Sequence, residues 1–379
     1  MQEFQIPTRV CFGQDALSAL ETIRAEHAVL FTDAFLEKSG AADKIRARMT
    51  GCGEIHTYSA IRPDPPIESI ADALRFLLDS RAEVAVALGG GSSIDAAKAT
   101  LLIAAQKTGR QIPLIAVPTT SGTGSEVTRF SVITDAAAGV KYPLVDARML
   151  PQTAILSETL TVSLPASITA DTGFDVLTHA LEAEISTAAH DFSDAMAEKA
   201  LELAFAYLPA AVRNGEDLVA REKMHTASCM AGMAFDAVSL GVNHGIAHAL
   251  GAHFHIPHGR ANGLLLPHVM AFNAGLDCPQ SAVPAECTRV CEKLAKIAQR
   301  IGLSAFGARS GAQALVRKLT ALQKEVGIPQ TLTQAGVVKA DLEAARAHII
   351  ESALHDACTA TNPRPVTAEA VSAILDSVM

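Results

Sequence analysis

Three histidines in the middle of the chain have the spacing of a metal site. His244 and His248 lie four residues apart, so both project from one face if this segment is helical, and His258 follows ten residues after His248. An upstream pair, Asp175 and His179, repeats the spacing with a carboxylate and an imidazole. Such ligands suit Fe²⁺, Zn²⁺ and other divalent ions. The residues alone predict a metal site in which the three histidines are equal candidates.

Most histidines of this chain need a simpler interpretation, because a single i, i+4 pair on a helix is more often incidental than metal-binding. The candidates above differ because their segments are apolar and contain glycines, and a buried carboxylate without a partner would cost several kcal/mol. The remaining histidines considered are assigned structural or surface positions: His190, His225, His253, His255, His268, His348 and His355.

Two loops of small residues follow apolar runs that are typical of buried strands. Gly89–Lys98 comes directly after Glu83–Leu88, and Thr119–Glu126 comes after Pro113–Pro118. Glycines let the backbone approach a ligand, and free N–H groups at a helix N-terminus favour a phosphate. Neither loop matches G-x-G-x-x-G or a P-loop, so an ordinary glycine-rich turn stays open. Facing one crevice, the two loops could hold a dinucleotide. The candidate contacts are Gly90, Gly91, Ser92, Asp95, Thr119, Thr120 and Thr123.

Asp33 and Lys141 are further candidates for coenzyme binding. Asp33 ends the apolar run His27–Asp33, where it could accept hydrogen bonds from a ribose 2′-hydroxyl and favour NAD over NADP. The preferred interpretation of Asp33 on its own is a helix N-cap. Lys141 lies in a short strand-like segment, from which it either reaches the cofactor or stays solvated.

Composition limits the classes of partner. The chain has 379 residues, of which 49% are hydrophobic and 19% charged, enough for two ordinary cores. A net charge of -9 disfavours nucleic acid and anionic membranes, so a small-molecule substrate is expected. Seven scattered cysteines without a CxxC pair indicate reduced thiols in a cytoplasmic protein. We recognise no signal peptide at the N-terminus and no run of about 18 apolar residues, and so expect no membrane span.

The hydrophobic periodicity changes near residue 164. Before it, short apolar runs alternate with helical patterns, which predicts a parallel α/β domain at residues 1–163. After it, 3.6-residue periodicity dominates, which predicts an all-helical domain at residues 164–379. A cleft between two domains is a usual place for a site. The predicted strands are Phe4–Phe12, His27–Asp33, Glu83–Leu88, Pro113–Pro118, Ser131–Thr134, Lys141–Val145 and Ala154–Leu156. The predicted helices are Gln14–Glu26, Ile67–Leu78, Phe174–Ile185, Phe192–Tyr207, Leu218–Phe235, Val238–Gly251, Cys287–Ile301 and Ala312–Val326.

Several motifs together resemble the iron-containing (group III) alcohol dehydrogenase family, almost from end to end of the chain. They are G-F-D-V-L-T-H-A-L-E from Gly173, N-H-G-I-A-H-A-L-G from Asn243, I-P-H-G-R-A-N from Ile256, G-G-G-S-S-I-D-A-A-K from Gly89, P-T-T-S-G-T-G-S-E from Pro118 and T-N-P-R from Thr361. The resemblance implies an N-terminal Rossmann-like α/β domain and an all-α C-terminal domain, similar to glycerol dehydrogenase and dehydroquinate synthase. It also implies NAD(H), Fe²⁺ and dimers.

The resemblance also distinguishes the histidines. It implies that Asp175, His179, His244 and His258 bind the metal, and that His248 lies near the nicotinamide and the substrate. A metal so held stabilises negative charge on a carbonyl oxygen during hydride transfer, and an imidazole titrates in the right range to pass the proton. The expected reaction is the interconversion of a short-chain aldehyde and a primary alcohol.

Within the family, four segments look most like the 1-propanol dehydrogenases of propanediol-utilisation microcompartments. They are T-R-V-C-F-G-Q-D from Thr8, R-P-D-P-P from Arg62, K-Y-P-L from Lys141 and D-F-S-D-A-M-A-E-K from Asp191. Propionaldehyde and 1-propanol are therefore the expected pair, in the cytoplasm or inside a microcompartment with its enzymes or shell proteins.

Three alternatives remain open. The chain could act on ethanol, a diol or glycerol; it could be a lyase resembling dehydroquinate synthase, with Arg129 and Arg260 as the basic residues; or it could serve chiefly as a component of a shell-enclosed assembly.

Overall fold

The chain folds into two compact units. We describe a computed structural model covering residues 3–135, 140–279, 281 and 283–379, without the side chains of residues 135, 140 and 141. The first unit contains the residues up to Leu164 together with Glu216–Asp236, and the second contains Pro165–Gly215 together with Ala237–Met379. The prediction of domains at 1–163 and 164–379 stays a prediction.

The strands and helices are numbered in chain order. The strands are β1 Arg9–Phe12, β2 Ala25–Asp33, β3 Cys52–Ile61, β4 Val84–Gly89, β5 Leu114–Pro118, β6 Phe130–Asp135, β7 Val140–Val145 and β8 Thr153–Leu156. The helices are α1 Ala34–Lys38, α2 Ala41–Arg48, α3 Ile67–Asp79, α4 Gly91–Thr108, α5 Ala166–Ile185, α6 Asp191–Arg213, α7 Leu218–Val238, α8 Val242–Phe254, α9 His258–Asn273, α10 Ala285–Arg300, α11 Ala308–Val326, α12 Lys339–His355 and α13 Ala368–Ser377.

A six-stranded parallel sheet forms the centre of the first unit, in the order β1-β8-β5-β4-β2-β3. Every residue of β4 and β5 is buried, because helices cover both faces of a parallel sheet. One face packs Val29 and Phe31 with α3 and α4, and the other packs Leu30 and Leu88 with α2. The α/β fold class predicted for this part of the chain is confirmed.

The strand order places a change of direction between β2 and β4. The chain leaves β2 through α1 and α2 towards β3, and leaves β4 through α4 towards β5 on the other side. Ligands of open α/β sheets bind at the carboxyl ends of strands at such a point. Asp33 ends β2 and Gly89 ends β4, so both lie at this edge.

The second unit is helical, as predicted, and α5 and α9 pack closely in it. Gly259 makes this possible, because a Cβ there would lie 2.2 Å from the carbonyl oxygen of Asp171 on α5. Gly263, one turn later, faces Phe174 in the same way, at 2.9 Å from its Cβ. Among the described helices, none is long and apolar enough to cross a membrane.

In the first 61 residues one prediction was wrong and one strand was not predicted. An α-helix was expected at Gln14–Glu26, but the structure has a short 3₁₀-helix at Ala16–Thr22, because the chain already enters β2 at Ala25. Strand β3 was missed; it is the edge strand and carries Gly53, Glu54 and His56, so its apolar alternation is weak. The antiparallel strands β6 and β7 match the predicted strands Ser131–Thr134 and Lys141–Val145.

Candidate active site

Helix α5 carries several buried polar side chains on one face. Asp175, His179 and Glu182 are separated by four and three residues, which places them on successive turns of the same side. The close approach of α9 at Gly259 brings the first residue of that helix, His258, beside Asp175. Packing of three helices, α5, α8 and α9, therefore creates the site.

Four donor atoms from these helices converge. The ligand atoms of Asp175, His179, His244 and His258 all lie within 4.8 Å of one another. From Asp175 Oδ1, the distances are 3.4 Å to His258 Nε2, 3.9 Å to His244 Nε2 and 4.0 Å to His179 Nε2. Three imidazole nitrogens around one carboxylate oxygen form a donor set for a divalent transition ion.

The contacts of Asn262 bear on whether the histidine nitrogens that face the metal position carry a proton. Its amide nitrogen donates to Asp175 Oδ1 at 2.8 Å and lies 3.1 Å from both His244 Nε2 and His258 Nε2. The amide has two hydrogens, one of which goes to Asp175, so the other requires an Nε2 atom without a proton on His244 or His258, which is the form that binds metal. Burial, followed by the neighbouring imidazoles, also lowers the pKa of His244 well below its usual value. The residues therefore fit a bound divalent ion.

Glu182 orients His244 from the side opposite the cluster. Its Oε2 lies 2.5 Å from His244 Nδ1, and its Oε1 accepts the backbone N–H of Asn243 at 2.7 Å. Burial acts to raise the pKa of Glu182, and the hydrogen bonds donated by Asn243, Gly241 and His244 oppose this by stabilising the carboxylate form. A carboxylate on Nδ1 fixes the tautomer that presents Nε2 to a metal.

His248 is held by a different carboxylate. Its Nδ1 lies 2.8 Å from Asp356 Oδ2, while its ring stacks on His258 at 5.2 Å between centroids. His248, Asp356 and Cys358 form a group of potential metal ligands of their own, separate from the group formed by Asp175, His179, His244 and His258. Gly245 lets α8 lie against this region, since a Cβ there would be 2.3 Å from Thr359 Oγ1. The structure thus separates His248 from His244, which spacing alone could not do.

In the first unit, the two predicted loops lie side by side. A Cβ on Gly90 would be 3.3 Å from Thr120 Cγ2, and one on Gly91 would be 2.7 Å from Thr123 Cγ2. The backbone N–H of Thr119 donates to Gly89 O at 3.0 Å. Ser92 lies in the first turn of α4 and accepts from Asp64 N at 3.3 Å. The loop candidates are therefore together at the end of β4, where α4 presents its N-terminus.

Asp95 and Lys98 anchor the segment after the second loop. Both Asp95 oxygens accept hydrogen bonds, one from Ser125 Oγ at 2.5 Å and the other from Val132 N at 2.9 Å. Lys98 is fully buried and donates to Thr128 O at 2.7 Å and to Phe130 O at 2.9 Å. Burial lowers the pKa of Lys98 to about 8. Asp95 thus positions the loop through its contacts, and its coenzyme role stays a prediction.

The N-cap interpretation of Asp33 is confirmed. Its Oδ1 accepts the N–H groups of Phe35 and Leu36, at 2.8 Å and 2.9 Å, at the start of α1. Its contact with a ribose stays a prediction. Lys141 lies in β7, and its side chain is outside the described residues.

Helix α7 supports the second loop. A Cβ on Gly124 would lie 2.6 Å from Gly232 Cα, so the loop and α7 pack backbone to backbone. His225 is buried on the same helix, with Nδ1 2.8 Å from Ser121 Oγ and Nε2 3.2 Å from Pro118 O. These contacts confirm the structural assignment of His225.

Comparison with known proteins agrees with this arrangement. The profile described as "Iron-containing alcohol dehydrogenase" matches residues 7–158, and that of the "Fe-containing alcohol dehydrogenase family, C-terminal" matches residues 169–379. The chain belongs to the iron-containing alcohol dehydrogenase family. The predicted family, enzyme class and cofactors, NAD(H) and iron, are thereby confirmed.

Relatives of this alcohol dehydrogenase match it over its whole length. It is 40% identical to "1-propanol dehydrogenase PduQ" of Citrobacter freundii over 381 residues, covering 100% of both chains. A crystal structure of 1,3-propanediol oxidoreductase is 33% identical, with a TM-score of 0.90 and full coverage of both chains. The sulfoacetaldehyde reductase of Bifidobacterium kashiwanohense, in complex with NAD⁺, is 28% identical with a TM-score of 0.85, over 100% of this chain and 98% of that one.

Four residues of this alcohol dehydrogenase that support the site were not selected from the sequence. Glu182 and Asn262 stand inside the quoted motifs, seven residues after Asp175 and four after His258, so helical spacing could have indicated them. Lys98 ends another quoted motif, but its burial had no sequence signal. Asp356 is remote in sequence from every other part of the site, and nothing in the pattern pointed to it.

Proposed function

We propose that this chain interconverts propionaldehyde and 1-propanol with NAD(H) and a divalent metal, Fe²⁺ by family and Zn²⁺ or another ion as the alternative. The observation that carries the proposal is the convergence of one carboxylate oxygen and three imidazole nitrogens within 4.8 Å in the helical unit. Membership of the alcohol dehydrogenase family supports the reaction type, and identity of 40% to a 1-propanol dehydrogenase supports the substrate.

We assign the metal to Asp175, His179, His244 and His258. A divalent ion there would polarise a carbonyl oxygen while the nicotinamide supplies or accepts a hydride. Glu182 keeps His244 in the tautomer that presents Nε2, and Asn262 holds the Asp175 carboxylate by its 2.8 Å hydrogen bond.

We assign proton transfer to His248. Reduction of an aldehyde leaves oxygen in need of a proton, and an imidazole can deliver it near neutral pH. Asp356 accepts at Nδ1, so the His248 nitrogen that points away from this carboxylate is Nε2, on the other side of the ring. Asp356 is then a positioning residue, acting through His248.

We assign coenzyme binding to the unit that contains the sheet, within residues 1–163. The adjoining loops after β4 and β5, together with the N-terminus of α4, where no side chain caps the helix, support this assignment. The proposed contacts are Asp33, Gly90, Gly91, Ser92, Asp95, Thr119, Thr120, Thr123 and Lys141. Residues 164–379 supply the catalytic metal in this scheme.

A diol is the second candidate substrate, because a 1,3-propanediol oxidoreductase has the same fold at 33% identity. The lyase alternative has less support. It needs unpaired basic residues, yet Arg260 pairs with Asp171 at 3.0 Å and Arg129 pairs with Asp236 at 3.3 Å.

The test is anaerobic reconstitution with Fe²⁺, followed by NADH oxidation with ethanal, propanal, butanal and 3-hydroxypropanal. We expect the highest kcat/KM for propanal. A higher kcat/KM for 3-hydroxypropanal would favour the diol as substrate. If NADH is not oxidised with any of these aldehydes, the proposal is contradicted. His258→Ala should lose the metal, whereas His248→Ala should keep it and lose rate. A His258→Ala protein that retains both metal and activity would exclude the proposed ligand set.

We further propose a homodimer or higher homo-oligomer that works in the cytoplasm, alongside the enzymes or shell proteins of a bacterial microcompartment. Its support is the resemblance to 1-propanol dehydrogenases along the whole chain. Light scattering of the purified protein tests the oligomer, and a monomer would contradict it. Co-sedimentation with isolated microcompartments tests the location, and a protein left in the supernatant would contradict that.

A further inference from the structure

A second group of potential metal ligands lies on the sheet of the first unit. His27 is in β2, and Glu54 and His56 are in the neighbouring edge strand β3. The parallel register pairs His27 with Glu54 and Val29 with His56, so all three side chains project from one face of the sheet. They belong to the amino-terminal parts of their strands, whereas the loops assigned to the coenzyme follow the carboxyl ends of β4 and β5.

The distances within this group fit a common ion. Glu54 Oε2 lies 3.4 Å from His27 Nδ1 and 3.6 Å from His56 Nε2, and all three ligand atoms lie within 4.8 Å of one another. Metal–ligand bonds of roughly 2.0–2.2 Å separate neighbouring ligand atoms by roughly 3.0–3.6 Å in tetrahedral or octahedral sites. Two of the three separations already meet this range, and Glu54 is exposed and free to adjust.

His27 provides an independent indication of a missing partner. Its Nδ1 is shielded from solvent and has no hydrogen bond within the described residues, because the 3.4 Å approach to Glu54 lacks hydrogen-bond geometry. A buried polar atom without a partner costs roughly 1–3 kcal/mol. A cation between His27 and Glu54 would use the lone pair of this nitrogen and the charge of the carboxylate together.

We propose that His27, Glu54 and His56 bind one divalent transition ion, such as Ni²⁺, Zn²⁺ or Cu²⁺, with water completing the coordination. Two imidazoles and a single carboxylate favour these ions over Mg²⁺ and Ca²⁺, which require mainly oxygen ligands. The ion joins β2 to the edge strand β3 and satisfies His27 Nδ1. The site shares no residue with the cluster around Asp175.

The experiment counts bound nickel on the Fe²⁺-loaded, full-length protein. The protein is equilibrated anaerobically with Ni²⁺, passed through a desalting column and measured for nickel and iron by elemental analysis. We expect the wild type to retain one more Ni²⁺ per chain than either His27→Ala or His56→Ala. The iron content per chain should be the same in all three proteins. Glu54→Gln, an exposed change that spares the fold, should retain less nickel than the wild type because it removes the charged oxygen ligand.

The matched control is His348→Ala. His348 is an exposed histidine whose ring centroid lies 6.4 Å from that of His253, so it is also part of a histidine pair, but among the described residues no carboxylate joins this pair in a group of potential metal ligands. It should hold as much nickel as the wild type. The proposal is overturned if His56→Ala binds as much nickel as the wild type, or if His348→Ala loses as much. Because only differences between variants are compared, this result is independent of whether the Asp175 cluster binds iron.

Discussion

Replacing Glu182 with glutamine tests how the proposed metal ligands are held in place. The two carboxylate oxygens serve two groups, Asn243 N at 2.7 Å and His244 Nδ1 at 2.5 Å. A glutamine offers one acceptor and one donor, so one of these N–H groups loses its acceptor and faces an NH₂ group instead. Glu182→Gln should therefore weaken metal binding while leaving all four proposed ligands in the sequence.

Two independent estimates give the size of the effect. A buried donor without a partner costs roughly 1–3 kcal/mol. Loss of an outer partner of a ligating histidine lowers metal affinity about 10–100-fold, which is about 1.4–2.8 kcal/mol at 1.4 kcal/mol per tenfold. The ranges overlap, so we expect the dissociation constant to rise about 10–100-fold.

The assay is anaerobic competition for Zn²⁺ between the metal-free protein and a chromophoric chelator, with circular dichroism to verify the fold. Glu184→Gln is the matched control. Glu184 lies on the same helix and is as deeply buried, but it faces Lys293 at 3.6 Å and no proposed ligand. If Glu184→Gln weakens zinc binding as much as Glu182→Gln, or if Glu182→Gln keeps wild-type affinity, orientation of His244 by Glu182 is refuted.

Three further outcomes are expected. Asp356→Asn removes the carboxylate from His248 Nδ1, so kcat should fall about tenfold or more with bound metal unchanged; an unaltered kcat contradicts this. Asp33→Asn keeps an N-cap acceptor but removes the charge, so the kcat/KM ratio of NADH to NADPH should fall, and a constant ratio would limit Asp33 to capping. Burial lowers the pKa of His225 from 6.5 to about 4, so the unfolded chain takes up a proton first as pH falls. The wild type should thus lose about 3 kcal/mol of unfolding free energy relative to His225→Gln between pH 7 and pH 4 in urea titrations; parallel curves contradict this.

The sequence predicted the elements whose signal is local. Continuous apolar runs gave β4 and β5, and small residues directly after them gave the two loops, because both patterns are contained within a few residues. The edge strand β3 was missed since it has one neighbour and need not be apolar on both faces. The support of the second loop by α7 was also not predicted. It depends on Gly124 meeting Gly232, a contact between residues more than 100 positions apart, whereas periodicity shows only that α7 is a helix.

The histidines show where spacing stops being informative. Residues four apart share a helix face but are offset by about 6 Å along the axis, so they can meet different neighbours. His244 meets Glu182 of α5 and His258 of α9, whereas one turn later His248 meets Asp356, just after α12. The close approaches that decide this are made by Gly259 against α5 and by Gly245 against Thr359. Nothing in the i, i+4 pattern contains those approaches, so the same spacing that correctly placed His244 and His248 on one face could not assign them to different chemistry.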